Sequence, residues 1–67
     1  MVNFGKNLLE IRLFLDITQT ELAERCNLKP SAISHFECGR RLPNFDNIKS
    51  LKQALGCSYE RLLDGSN

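Results

Sequence analysis

Residues 19–38, QTELAERCNLKPSAISHFEC, decide how this 67-residue chain is read. Leu22, Ala23, Cys26, Leu28, Ile33 and Phe36 fall where two short helices joined by a tight turn would bury them. Gln19, Lys29, Ser31, Ser34 and His35 are left outside. Two steeply crossing helices need a small residue where their backbones approach, and Ala23 supplies it. They also need apolar anchors on both sides of the turn, which Cys26, Leu28, Ile33 and Phe36 supply.

The same periodicity extends in both directions, and strand signals are poor. Phe4, Leu8, Ile11 and Leu15 mark the inner face of a first helix. Thr18 with Glu21 three residues on is a capping box for the second helix. Asn27 ends that helix, because Asn tolerates the left-handed exit conformation. Pro30 suits the first position of the third helix, where its missing N–H has no intrahelical partner, and Gly39 closes it. Lys29 is a poor side-chain cap. After the basic loop 40–43, Asn44 caps a fourth helix with inner face Phe45, Ile48, Leu51 and Leu55, ended by Gly56. Ser58 caps a short fifth helix carrying Leu62 and Leu63, ended by Gly65. Five helices with short connections predict one compact all-α domain over residues 1–67. Ser66 and Asn67 read as a tail or as the start of a linker.

Composition narrows the function. The chain is 42% hydrophobic and 25% charged, which fits a globular domain. It has no run of 18 apolar residues, so no membrane span is expected, and no continuous apolar stretch follows Lys6, so no secretory leader is expected. Three widely spaced cysteines do not make a disulfide framework and point to a reducing cytoplasm. His35 and Cys38, with Cys26 and Cys57, lack the paired spacing of a zinc site, and Cys26 and Cys57 stand at apolar positions as small core residues. No metal or cofactor is expected. One histidine, no paired carboxylates and no Gly-rich phosphate loop argue against an enzyme.

On the third helix Ser31, His35 and Cys38 recur at i, i+4 and i+7, with Ser34 beside them, on the face opposite Ile33 and Phe36. That face is polar, short-chained and free of acid, so it can approach a base-pair edge. Helix, turn and outward helix together form a helix-turn-helix pattern over 19–38, which presents its second helix to the DNA major groove. Ser31, Ser34 and His35 are the candidate base readers. Thr18 and Gln19 at the start of the second helix, Lys29 at the entry of the third, and Arg40 and Arg41 after it are candidate phosphate contacts. The bland alternatives are a solvated basic loop, ordinary helix-surface serines, an unemployed surface histidine and an ordinary helix-start glutamine. Net charge is only +1, with 9 Lys and Arg against 8 Asp and Glu. Affinity for phosphate would therefore rest on local clustering of positive charge.

The residues carry a family resemblance. Arg12, then ITQTELAERCNL, SAISHFECGRRLPNFDNI and LKQALGCSYERLL make residues 8–63 resemble the DNA-binding domain of the Cro/C1-type (XRE-family) repressors of lambdoid phages. The combination of T-Q-x-E-L-A, I-S-x-x-E-x-G and A-L-G-x-S is more specific than any one piece. The resemblance implies a five-helix fold of the lambda-repressor type and a structural ion pair between Arg12 and Glu37. It further implies binding to a double-stranded operator as a homodimer, with Tyr59 and Arg61 at the dimer contact. Asn27 and Asp16 stand where that family often has Gly, Lys29–Pro30 replaces a Ser or Thr cap, and the reading face lacks the common Gln or Arg. Leu9 and Leu13, where many relatives carry charge, read as an outward pair and a candidate contact for a protein partner.

Two functions follow as expectations. The first is a sequence-specific transcriptional regulator, most simply a repressor, placing residues 30–38 in the major groove and reading half-sites about 34–36 Å apart as a dimer. The alternative is a protein-interaction module on the same scaffold, with weak or no DNA binding.

Overall fold

The computed structural model describes residues 3–65. Five helices follow in order: α1 (Phe4–Phe14), α2 (Gln19–Cys26), α3 (Pro30–Glu37), α4 (Phe45–Leu55) and α5 (Tyr59–Asp64), with no strand among the described residues. Local chemistry sets most boundaries. The Thr18 hydroxyl accepts from the Glu21 N–H at 3.0 Å while the Glu21 carboxylate accepts from the Thr18 N–H at 2.9 Å. Asn44 and Asn47 make the same reciprocal pair at the start of α4, although neither is the usual Ser/Thr or Glu/Gln of that box. Ser58 caps α5. Pro30 opens α3, which has no side-chain cap at Lys29.

Two non-glycine residues take left-handed backbone angles, Asp16 with φ 57° and Asn27 with φ 56°. Both have short polar side chains that tolerate that region better than most. Asn27 terminates α2 there, and Asp16 turns the chain out of α1 toward α2.

The core joins α1 to α3 and α5, and α2 to α3 and α4. Phe4, Leu8, Leu22, Ile33, Phe36, Leu51 and Leu62 are fully buried. Phe4 and Phe36 meet edge to face, with ring centroids 6.2 Å apart. Gly5 lets α1 approach the end of α3, since a Cβ there would lie 2.5 Å from the Phe36 carbonyl oxygen. Asn7 is buried on the apolar stripe, and its Nδ2 donates to the Leu62 carbonyl at 3.1 Å. A buried amide without a partner would be costly, so this bond also fixes where α5 lies on α1.

Four core expectations change. Leu15 is exposed, because α1 ends at Phe14 and the chain turns at Asp16, leaving Leu15 on the rim of a groove. Phe45 is 70% exposed: at the first position of α4 it overhangs the core edge, and the neighbouring Pro43 is buried instead. Leu28 and Cys57 are half-buried, packed against the core from inter-helix turns rather than within it. Leu9 is half-buried too, so only Leu13 of the expected outward pair points to solvent. About 100° from Leu8 on the helix, Leu9 stands on the shoulder of the buried stripe. Ser66 and Asn67, read as a tail or linker start, lie outside the described residues.

Candidate nucleic-acid interface

The outer side of α3 carries the candidate readers. Ser31 and His35 are exposed, Ser34 is partly exposed, and Cys38 caps the helix end in solvent. Behind them Ala32, Ile33 and Phe36 are buried, so the helix has one rooted and one free face. No acid lies on that free face. Glu37, the one carboxylate of α3, is turned inward.

Glu37 gathers the elements around it. Its side chain is 5% exposed and that of Arg12 10%. Arg12 Nε donates to Oε2 at 2.7 Å and Nη2 to Oε1 at 3.1 Å, while Arg12 Nη1 donates to the Ile17 carbonyl at 2.9 Å. Gln19 Nε2 donates to Glu37 Oε1 at 2.8 Å. A carboxylate in the last turn of a helix opposes the helix dipole. The guanidinium beside it offsets that cost and satisfies both oxygens, as a buried charge requires. One cluster therefore ties α1, the α1–α2 turn, the start of α2 and the end of α3.

The candidate phosphate contacts surround this frame. Thr18 is exposed as the cap of α2, where the N–H groups of Gln19 and Thr20 have no intrahelical acceptor. Gln19 Nε2 gives one of its two N–H groups to Glu37. Lys29 is exposed at the entry of α3. The Arg40 and Arg41 N–H groups both donate to the His35 carbonyl, at 3.0 and 3.4 Å, which folds the basic loop back onto the end of α3. Arg41 also places its guanidinium 5.5 Å from the centre of the Phe36 ring. Loop, helix start and reading face are thus held by one rigid neighbourhood.

Other singled-out residues lie elsewhere. Arg61 reaches Glu10 of its own chain at 3.4 Å, and Tyr59 is half-buried with Lys52 Nζ 5.1 Å over its ring. Burial pushes the Cys26 and Cys57 thiols up, which lowers the fraction present as thiolate. No group of three His, Cys, Asp or Glu could hold a metal among the described residues, and none of the described helices is long and apolar enough to cross a membrane.

Sequence reasoning missed Gly5, Asn7 and Phe14. Asn7 had a visible signal, a polar residue at the buried position between Phe4 and Leu8. Phe14, 88% exposed, lines an open groove with Ile11, Leu15, Leu55 and Cys57.

A five-helix fold with α2 and α3 in this crossing defines the helix-turn-helix class. The helix-turn-helix family model matches residues 8–62, and the chain belongs to that family, in its Cro/C1-type branch. The P22 c2 repressor, solved in complex with a synthetic operator, superposes with a TM-score of 0.87 at 33% identity, covering 94% of this chain and 96% of that one. Multiprotein-bridging factor 1 of Candida albicans is 40% identical over 55 residues, covering 82% of this chain and 36% of its own length. The control protein C.BamHI of Bacillus amyloliquefaciens is 39% identical over 62 residues, covering 91% of this chain and 76% of its own. The chain thus spans little more than a third of the bridging-factor relatives it matches.

Proposed function

We propose that this chain is a sequence-specific double-stranded DNA-binding transcriptional regulator, a repressor in its simplest mode, acting in the cytoplasm. The observation that carries it is the free face of α3. Ser31, Ser34 and His35 project from a helix whose roll is fixed by a buried ion pair, between the open N-terminus of α2 and the basic loop. Such a helix can enter the major groove with phosphates taken on both sides. The likeness to a repressor solved on its operator supports the reading. As a homodimer the protein would pair its α5 helices, with Tyr59 and Arg61 at the contact, and read two half-sites.

Gel retardation on random duplex at low salt, followed by selection of bound sites from a random pool, tests it. Salt-sensitive retention and a two-fold symmetric selected site are expected. Arg40→Ala and Arg41→Ala should each weaken binding to all sequences and reduce the salt slope by about 1. An unchanged slope in both variants would remove the phosphate role of the loop.

A second reading is favoured by Leu13 and Phe14, which stand 61% and 88% exposed side by side on a protein of net charge +1. The expected partner surface at Leu9 and Leu13 then moves to Leu13 and Phe14, and the domain docks a protein, in keeping with the name of the bridging-factor relatives. Absence of any retention on duplex at low salt would favour it.

A further inference from the structure

His35 is the chain's one histidine and the longest side chain among the three readers on the free face of α3. It stands exposed one helical turn beyond Ser31, and its ring is ion-paired to no other described residue. Its backbone is pinned, since its carbonyl accepts from the N–H groups of both Arg40 and Arg41, at 3.0 and 3.4 Å. The ring therefore projects from the same residue that anchors the basic loop.

Of the side chains on this face, only an imidazole turns cationic near neutrality. The hydroxyls of Ser31 and Ser34 do not titrate there, and a thiol such as that of Cys38 ionises in the opposite sense, to an anion. The carboxylates around α3 are engaged elsewhere or lie on other helices. Glu37 is bonded to Arg12 and Gln19. The helices α1 and α2, packed against α3, carry Lys6, Glu10, Arg12, Glu21, Glu24 and Arg25; Glu10 meets Arg61, and Glu21 accepts from the Thr18 N–H. Lys29 before α3 and Arg40 and Arg41 after it are the flanking cations. A duplex seated on this face supplies the negative charge that the protein does not, and phosphates beside the ring favour its charged form.

We propose that His35 is a specificity-determining residue that reads its base as the imidazolium, so that operator binding takes up a proton at this ring. The proposal rests on the DNA-binding reading. The imidazolium donates from both nitrogens and accepts nothing, whereas the neutral ring donates once and accepts once. Charged, it fits a base edge made of acceptors, and guanine offers two in the major groove, O6 and N7. Neutral, it also accepts from the amino groups of cytosine or adenine, so discrimination weakens. The complex holds the proton more tightly than the free protein. Affinity is therefore greatest where the ring is charged, and falls as pH rises through the histidine range.

Site selection and affinity measurement at about pH 6 and about pH 8, at one salt concentration, test this. A neighbouring phosphate favours the imidazolium by about tenfold or more, so operator affinity should be about five- to tenfold higher at the lower pH. Sites selected there should be enriched in guanine at one position of each half-site, and that preference should fade at the higher pH. The ring's carbon shifts should show the charged form persisting to higher pH in the complex than in the free protein. His35→Gln, at an exposed position, should bind operator equally at both pH values. Survival of the pH dependence in His35→Gln would overturn the proposal. An equal pH effect on random duplex, with the same selected site at both pH values, would make His35 a phosphate contact and overturn it too. Duplex binding indifferent to pH would overturn this proposal alone and leave the DNA-binding reading standing. No retention of duplex at either pH, even at low salt, would overturn both.

Discussion

Two faces of α1 border very different surfaces. On the α2–α3 side every charged group near the core has a partner, and the outer face is short and polar. At the C-terminal end of α1, Leu13, Phe14 and Leu15 stand exposed beside a groove of about 510 Å³ lined by Leu55 and Cys57, with Glu10 and Arg61 at its edge. The first region spends buried polar bonds on orientation. The second leaves apolar area in water and holds its one ion pair at the surface. Rigidity with a free polar face suits a surface that must meet the fixed geometry of a duplex. Exposed aromatic area without rigid polar framing suits at most a protein contact.

Breaking the framed side should have the largest effect. Arg12→Ala leaves Glu37 buried with only the neutral Gln19 amide, and should cost about 3–5 kcal/mol in urea denaturation. A loss below about 1 kcal/mol would mean that the pair behaves as a surface pair and frames nothing. Gly5→Ala comes next. It forces a methyl group against the backbone oxygens of Phe36 and Glu37, at 2.5 and 2.8 Å, and should cost about 1–3 kcal/mol by thermal melting.

Thr18→Ala should cost about 1 kcal/mol by removing the cap of α2. It should also change the acid limb of stability. The Thr18 N–H, then its hydroxyl, hold the Glu21 carboxyl below its ordinary value. A folded-state value lower than the unfolded one contributes stability above the ordinary carboxylate range, lost as pH falls through the lowered value. Melting temperature against pH should therefore drop less steeply on acidification in a Thr18→Ala, Glu21→Gln double variant than in the unaltered protein.

The smallest effect belongs to the other region. Phe14→Ser should change stability by no more than about 0.5 kcal/mol, since the ring is 88% exposed. Random-duplex affinity should be unchanged. A large loss of duplex binding in Phe14→Ser would erase the contrast between the two surfaces.

The contrast was only half legible in the sequence. The helices could be read because their boundaries are local: a capping box at Thr18, a left-handed exit at Asn27, a proline at the start of α3. The outer face of α3 could be read because period alone separates Ser31 and His35 from Ile33 and Phe36. What depends on where elements end could not. Leu15 and Phe45 fit the apolar period yet lie past the edge of the core, and Phe14 escaped notice because period alone does not say whether a neighbour covers it. The cluster around Glu37 joins residues 12, 19 and 37, which no helical spacing connects. The pairing of Arg12 with Glu37 entered through family resemblance, and the Gln19 bond had no sequence signal. Gln19 reads as a phosphate contact because helix starts attract anions, and no local spacing points to the carboxylate that its amide also meets.

Under the proposed function, α3 and its surroundings are the surface that meets duplex DNA. Titrating the isotopically labelled protein with a short duplex at low salt, and following backbone amide shifts, tests this directly. Perturbations should concentrate at residues 18–20, 29–35 and 38–41, and should weaken as salt rises. Shifts centred on Leu13, Phe14 and the groove, or no salt-dependent shifts at all, would contradict it.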